Sequence, residues 1–286
     1  MGNKTTKTAN LLLSALLSAG AVLLFAGRVE AQTPVREAQL PVRGAQPAAR
    51  ESSHDKVVAE LDEPHHKLLL ENEYIRVIDG HVPGHDTTLT HIHAANSVVV
   101  WLSKSTFGIQ NVGGKPALTD VNQGDAVYRA YGDKPVTHIV WNNDMAMFHF
   151  MVVELKRRGP AGEATKQRPD SDSSAILAQP SVQFQWQQPL VRAYYLNIAK
   201  GTQCILPKSN YAYLLIAISG TVTTVSSGRD RVPSGHTRVS SGRTRVSADR
   251  TRSLHANDFA FFPPRKGIEI NGGKDENVHC VLLEIK

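Results

Sequence analysis

The sequence predicts an all-β protein made of two tandem β domains, and three observations support this. From Lys67 onward the chain consists of short β-rich runs such as "SVVVWLSKSTFGIQNV", separated by Gly, Pro and Asn. Such runs are typical of an antiparallel sandwich or barrel, and no long amphipathic helix lies among them. A second β-rich series follows, and its last run "VHCVLLEIK" aligns without gaps with "FHFMVVELK" of the first. This internal duplication predicts the tandem arrangement.

The first 55 residues are predicted to lie outside both β domains. Residues 1–31 have the features of a secretory signal peptide, because Lys4 and Lys7 precede an apolar run and "VEA" precedes a cleavage site before Gln32. An uncleaved membrane anchor is the alternative, although the run is short for a span of about 20 residues. Residues 32–55 are rich in Pro, Ala and Gln and are predicted to form a flexible tail. We therefore expect a periplasmic or extracellular protein with no membrane association beyond export.

The remaining chain divides into a first β domain over 56–156, a polar linker over 157–180 and a second β domain over 181–286. The second domain carries a basic insert over 227–253, a heptad-length repeat that lacks the apolar positions of a coiled coil. The insert holds seven arginines against two aspartates, a net of +5 within the chain's formal charge of +6. Because the rest is nearly neutral, we expect no nucleic-acid partner. A solvated loop is favoured for the insert, with an arm for an anionic ligand as the alternative.

The two cysteines of the chain, Cys204 and Cys280, exclude a disulfide-rich scaffold. An exported protein could carry one bridge between them. The sequence leaves open whether they pair.

A pair of histidines stands before an apolar run in "HIHAANSVVVWL", which begins at His91. Successive side chains of a strand alternate between its faces, so His91 and His93 point the same way and can both reach one cation. Polar residues at the start of a strand are also common. A third histidine, His138, follows a Gly-Asp turn and a further strand, and Asn142 comes four residues later. A neighbouring strand that supplies a third imidazole would complete a three-nitrogen site.

These motifs resemble those of the cupin superfamily. The first motif is "GHDTTLTHIHAANS" and the second "GDAVYRAYGDKPVTHIVWN", and the resemblance covers both β series. It implies an exported bicupin of two jelly-roll barrels that binds a divalent metal through His91, His93 and His138. The glutamate of the cupin motif falls at Asn96 or Ser97, so no acid stands there. Imidazole donors suit Fe, Mn, Zn, Ni and Cu, and the identity of the metal stays open.

Several further residues are candidates for an auxiliary role at this site. Asn96 and Ser97 take the place of the missing acid, His85 follows Gly84 near the predicted mouth, and Asp86 could supply a compensating carboxylate. A surface or turn position is the alternative for His85. His149 aligns with His279 of the second series, which favours a structural role for it.

The second series provides an internal comparison for the first. The alignment sets Lys208 and Asn210 against His91 and His93, and Gly267 against His138. The second barrel is therefore predicted to be a structural or dimerising partner without a metal site.

Three functions remain open at this stage. The first is a metal-dependent oxygenase-like enzyme for a small anionic substrate, since cupins with three histidines and no acid resemble the thiol and gentisate-type dioxygenases. The second is a non-catalytic module that binds a small ligand, and the third is a purely structural protein. We expect a small-molecule ligand or substrate, and a homodimer is a further expectation.

Overall fold

The computed structural model describes residues 56–156, 174–226 and 251–286, together with the backbone of Arg36–Glu37. The predicted signal peptide at 1–31 lies outside these ranges, as do residues 157–173 of the predicted linker and 227–250 of the predicted insert. Most of the predicted flexible tail, 32–55, is also outside them. Arg36–Glu37 departs from the tail prediction, because it pairs as a short strand with the first barrel.

The first barrel consists of eleven strands in the described chain. They are β1 (Arg36–Glu37), β2 (Val58–Ala59), β3 (His66–Glu71), β4 (Ile75–Val82), β5 (His91–His93), β6 (Ser97–Trp101), β7 (Ser105–Asn111), β8 (Ala117–Val121), β9 (Ala126–Arg129), β10 (Val136–Asn142) and β11 (Phe148–Leu155). A 3-10 helix, Glu60–Asp62, lies between β2 and β3. The strands form two sheets, in the orders β1-β8-β7-β10-β5-β2 and β3-β4-β11-β6-β9. All pairings are antiparallel except that of β2 with β5.

The second barrel repeats this plan in its own two sheets. A short helix, α1 (Ser174–Leu177), precedes it within the predicted linker. Its strands are β12 (Val182–Gln188), β13 (Val191–Ile198), β14 (Gln203–Leu206), β15 (Ala212–Ser219), β16 (Val222–Ser226), β17 (Thr251–Leu254), β18 (Phe259–Phe262), β19 (Ile268–Asn271) and β20 (Val278–Ile285). The sheet orders are β12-β13-β20-β15-β18 and β14-β19-β16-β17. The prediction of two tandem jelly-roll barrels is confirmed.

The two barrels share one apolar core between facing sheets. Ile75, Val77 and Met151 of the first barrel belong to the same buried cluster as Leu214 and Leu283 of the second. Side chains of this size each stabilise the fold by roughly 1.5–3 kcal/mol when fully buried. Hydrogen bonds also cross this interface, among them those from Trp186 Nε1 to the Ala126 carbonyl (2.9 Å) and from Gln123 Nε2 to the Ile218 carbonyl (3.2 Å).

Each barrel holds an arginine–glutamate pair at the same place on its two central strands. Arg76 on β4 lies opposite Glu154 on β11, at 2.7 Å, and Arg192 on β13 lies opposite Glu284 on β20, at 3.0 Å. The second pair is the more deeply buried of the two. These matching pairs support the gapless alignment of the two last strands.

Asn142 of the second histidine motif has a structural role. Its side-chain amide donates to the carbonyls of Val82, Pro83 and Ala146, at 2.9, 3.1 and 2.7 Å. A buried amide with three carbonyl partners fixes the turn after β10 against the end of β4. This turn holds β10 in the register that its histidine requires.

The close approach of β7 and β10 depends on a glycine. Gly108 lies directly opposite Trp141, and a Cβ at Gly108 would come within 1.8 Å of the indole ring. The absence of a side chain at this position lets the indole lie across β7.

Cys204 and Cys280 are both buried in the core of the second barrel and are not bridged. Burial raises the pKa of the Cys280 thiol to about 12. Among the residues that the structure describes, no helix is both long enough and apolar enough to cross a bilayer.

Candidate metal centre

The antiparallel register of β5 and β10 brings the three predicted histidines together. His91 and His93 face the interior of the first barrel because they are two residues apart on β5, with the half-buried Ile92 between them. His138 on β10 lies directly opposite His91. All three are buried, and one nitrogen from each lies within 4.8 Å of the others.

Polar contacts at the outer ring nitrogen orient two of the three imidazoles, those of His91 and His93, whereas the buried His138 Nδ1 has no hydrogen-bond partner among the described residues. His91 Nδ1 lies 2.8 Å from the Leu89 carbonyl, which can only accept, so Nδ1 carries the proton and Nε2 keeps its lone pair. His93 Nδ1 lies 2.9 Å from Glu60 Oε2. A carboxylate or carbonyl partner of this kind fixes the tautomer of a metal-binding histidine.

The inner nitrogens converge at the spacing that a metal ion imposes. His138 Nε2 lies 3.2 Å from His91 Nε2. Ligands at about 2.0–2.1 Å from one ion are about 2.8–3.0 Å apart along an octahedral edge and about 3.3–3.4 Å apart along a tetrahedral edge, so the observed separation lies between the two. The donor set present therefore fits a divalent transition metal.

Burial keeps the three imidazoles neutral and able to donate to a metal. It lowers the pKa of both His91 and His93 to about 4, and the neighbouring His93 contributes to the effect at His91. Burial lowers the pKa of His138 to about 2, with further repulsion from the other two rings. Without a fourth acidic ligand, a metal bound here would keep its full +2 charge.

Glu60 is a functional candidate that the sequence analysis missed. It begins the 3-10 helix after β2, is buried, and contacts His93 through Oε2, while its Oε1 has no hydrogen-bond partner. Burial raises the pKa of Glu60 to about 7, and a hydrogen bond with Glu154 acts against this rise. Glu154 in turn pairs with Arg76 on the same face of the sheet, so a polar network extends from β4 through β11 to the three histidines.

His66 is a second residue that was missed. His65 and His66 are adjacent and were expected to point to opposite faces of a strand as poor joint ligands, but His66 alone is buried and its ring packs edge-on against that of His91, with centroids 5.0 Å apart. Its Nδ1 lies 2.9 Å from the Glu60 carbonyl, so Nδ1 donates and the lone pair is on Nε2. Burial lowers the pKa of His66 to about 3. The alternation of β3, which places every second side chain inward, was the signal that could have identified it.

A small cavity adjoins the histidines inside the first barrel. Its volume is about 60 Å³, enough for a few waters or a small molecule. Its apolar wall is formed by Val99, Trp101, Phe107, Ile109, Val140, Phe148, Phe150 and Val152. Arg129 and Tyr131 also line it, and they provide a cation and a hydroxyl near the imidazoles.

The four predicted auxiliary residues have different environments. Ser97 lines the cavity, and its buried hydroxyl has no hydrogen-bond partner. Asn96 is buried, but its side-chain carbonyl accepts from the Gly132 amide at 2.8 Å. His85 and Asp86 are exposed and do not line the cavity; they contact the Met145 sulfur and His65, respectively.

The interior of the second barrel is apolar where the first has histidines. On the strand pair β14–β19, Cys204 lies opposite Ile270 and Leu206 opposite Ile268, and all four are buried. The sequence alignment was wrong in detail here: Lys208 and Asn210 follow the end of β14, and Gly267 precedes β19. The loop between β14 and β15 has five residues, 207–211, whereas the corresponding loop between β5 and β6 has three, 94–96.

Comparisons with known proteins show likeness in structure. No protein-family model matches the chain, and no curated protein sequence matches it. AerE from Microcystis aeruginosa aligns with a TM-score of 0.52 and 9% identity over 78% of this chain and 93% of its own. A cupin 2 conserved barrel domain protein from Leptotrichia buccalis gives 0.45 and 9%, covering 77% and 88%. A Lactobacillus farciminis oxalate decarboxylase formate complex gives 0.47 and 11%, covering 75% and 78%. At 9% identity, the likeness to AerE shows the fold alone.

Proposed function

Because the chain has the cupin fold and three convergent imidazoles in its first barrel, we propose that it is an exported, divalent-metal-dependent enzyme of the oxygenase type. The observation that carries this proposal is the approach of His91 Nε2 and His138 Nε2 to 3.2 Å, with His93 beside them. Two buried lone-pair donors this close repel each other unless a proton or a cation lies between them. A divalent ion satisfies all three rings at once.

The surrounding residues support a small anionic substrate. Arg129 and Tyr131 line the same cavity as the three histidines, so a carboxylate can bind between the guanidinium and the metal position. The apolar wall suits the non-polar part of such a substrate, and the small size of the cavity favours a small molecule.

Each residue of the site has a distinct role in this proposal. His91, His93 and His138 hold the ion, and the carbonyl of Leu89 and the carboxylate of Glu60 orient two of these rings. When bound, a divalent metal supplies a Lewis acid and, if it is ferrous iron, a centre for dioxygen chemistry. Fe, Mn, Zn, Ni and Cu all suit these donors.

A non-catalytic ligand-binding protein is the alternative function. It is favoured by the absence of an acid at Asn96 and Ser97 and by the loss of every imidazole from the interior of the second barrel in the described chain. In that case, a small carboxylate would stabilise the protein equally with and without metal. The signal-like residues 1–31 support export in both cases, and a homodimer is a further proposal.

Turnover by defined metal forms tests the proposal. The metal-free, untagged protein is loaded anaerobically with Fe²⁺, and oxygen consumption is followed with a panel of small carboxylates and thiols. We expect turnover by the wild type, none by His138→Ala, and unchanged turnover by His85→Ala, which removes an exposed histidine outside the cavity. An iron-loaded wild type that consumes no oxygen, but is thermally stabilised by a carboxylate whether or not metal is bound, would favour the alternative.

A further inference from the structure

A second cluster of metal-binding groups lies on the outer face of the first barrel. Asp79 and His81 are two residues apart on β4 and therefore share a face, and His149 on β11 lies directly opposite His81. Gly80, between them, faces the interior and the ring of Phe150. The cluster is thus on the opposite side of the sheet from the three-histidine centre. One ligand atom from each of its members lies within 4.8 Å of the others.

The donor atoms of this cluster already face one another. His149 Nε2 lies 2.8 Å from Asp79 Oδ1, and His81 Nδ1 lies 3.4 Å from Asp79 Oδ2. The shorter contact is a hydrogen bond from the His149 imidazole to the Asp79 carboxylate, and its proton would leave when an ion binds. Both separations fall within the range of about 2.8–3.4 Å between ligands held at about 2.0–2.1 Å from one ion in octahedral or tetrahedral geometry. The two rings stack with centroids 3.9 Å apart and an interplanar angle of 23°. Stacked rings direct their lone pairs nearly in parallel, so His81 must rotate for both nitrogens to reach one ion.

We propose that Asp79, His81 and His149 bind a second divalent transition-metal ion. Two imidazoles and one carboxylate suit Zn²⁺, Cu²⁺ or Ni²⁺, whereas Ca²⁺ and Mg²⁺ prefer an all-oxygen shell. Three protein ligands leave at least one position for water or a small ligand. This inference does not depend on the proposed function, because it concerns different residues on the other side of the sheet.

The environment of the cluster permits binding from solvent. The His81 side chain is 43% exposed, whereas Asp79 and His149 are mostly buried and hold their positions. Burial lowers the pKa of His81, although the Asp79 carboxylate acts in the opposite direction. Lys67 on β3 lies opposite Asp79 on β4, and its positive charge repels a cation. Its side chain is exposed, however, so the flexible ammonium group can turn into water.

The second barrel shows that the fold does not require this cluster. The register of β13 with β20 places Asn197 opposite His279 and Tyr195 opposite Val281, which correspond to His81 opposite His149 and Asp79 opposite Met151. Only the imidazole of His279 remains at these positions, and its Nδ1 is hydrogen-bonded to Asn197 Oδ1 at 2.6 Å. His149 and His279 therefore occupy equivalent strand positions, but the residues opposite and beside them differ. His279→Ala removes a histidine at the equivalent position and is the matched control.

Zinc stoichiometry of the full-length, untagged protein tests the proposal. The metal-free protein is dialysed against ZnCl₂, and bound zinc is measured per chain by elemental analysis. We expect His81→Ala and Asp79→Asn each to lose about one zinc ion per chain relative to the wild type, and His279→Ala to lose none. Circular dichroism and thermal unfolding check that the variants are folded. If His81→Ala does not fold, His81→Gln is used in its place.

A second background separates this site from the barrel centre. In a His91→Ala, His138→Ala double variant, we expect about one zinc ion to remain and to disappear on addition of His81→Ala. The proposal is overturned if His81→Ala and Asp79→Asn bind as much zinc as the wild type. If His138→Ala lowers the bound zinc and His81→Ala does not, this inference is overturned and the proposed function is supported. If His81→Ala lowers the bound zinc and His138→Ala does not, this inference alone is supported.

Discussion

Replacing Glu60 by glutamine separates the two effects that a buried carboxylate has at the metal centre. Glu60 Oε2 lies 2.9 Å from His93 Nδ1, so it orients the ring and adds negative charge behind it. The Glu60→Gln side chain keeps an oxygen that can accept from Nδ1 but has no charge. We expect metal binding to weaken while the metal-free protein becomes more stable.

The magnitudes follow from the contact and from burial. Loss of a second-layer partner of a metal-binding histidine weakens affinity by about 10–100-fold, or about 1.4–2.8 kcal/mol. Glu60→Gln should fall near tenfold because the hydrogen bond survives, and Glu60→Ala should fall near hundredfold because His93 Nδ1 then has no partner. Burial raises the pKa of Glu60 from 4.5 to about 7, which corresponds to a destabilisation of the ionised form by about 3 kcal/mol.

The sign of the stability effect depends on pH. Below pH 4.5, Glu60 is protonated in both folded and unfolded protein and contributes no difference. Between pH 4.5 and about 7, the unfolded chain releases its proton while the folded protein retains it, so folding stability falls as pH rises. We therefore expect Glu60→Gln to stabilise the metal-free protein at pH 8 by up to about 3 kcal/mol, and not at pH 4.

Two assays check this prediction. Competition with a chelator gives the metal affinity, and urea unfolding in excess chelator at pH 8 and pH 4 gives the stability. Glu284→Gln, which alters a buried carboxylate of the second barrel, controls for general effects and should leave the metal affinity unchanged. Unchanged affinity and unchanged stability in Glu60→Gln would refute the reasoning.

Three further predictions concern the fold. Gly108→Ala should destabilise the protein by about 1–3 kcal/mol, because its Cβ meets an indole ring at 1.8 Å, and an unchanged melting temperature would contradict this packing. Arg192→Ala should lower the free energy of unfolding in urea by about 3–5 kcal/mol, because it leaves the buried Glu284 carboxylate without its cation. Arg76→Ala, at a more exposed pair, should lower it by less. Equal losses of stability would contradict the difference in burial. Cys204 and Cys280 should not react with a thiol reagent at pH 8 in the folded protein, because burial raises the pKa of both thiols. Both should react after unfolding. Rapid labelling of the native protein would show that the core is open.

The fold could be predicted because its signals are local or repeated. The short β-rich runs and the gapless match of the last strands both follow from the period of a strand and from the duplication. The match has a physical basis that the sequence did not reveal: Glu154 and Glu284 each pair with an arginine on the neighbouring strand, in the same register. Their partners, Arg76 and Arg192, stand in runs that do not resemble each other.

The candidate site could be predicted only in part. His91 and His93 are two residues apart and therefore on one face of a strand, and His138 lies in a recognisable motif. Glu60 comes from a short 3-10 helix with no periodic pattern, more than thirty residues before its partner His93, so only the folded chain shows the contact. The alignment of the second barrel was wrong at Lys208 for a related reason, since loop length after β14 is not encoded in the motif spacing.

The most direct test of the central claim is the metal content of the first barrel. Untagged protein carrying His81→Ala, which removes the outer cluster, is compared with the same protein carrying His138→Ala as well, after equal exposure to Fe²⁺ or Zn²⁺ and gel filtration. The geometry of the three imidazoles predicts about one ion per chain in the first protein and almost none in the second. Equal metal content in the two would contradict a metal centre formed by His91, His93 and His138.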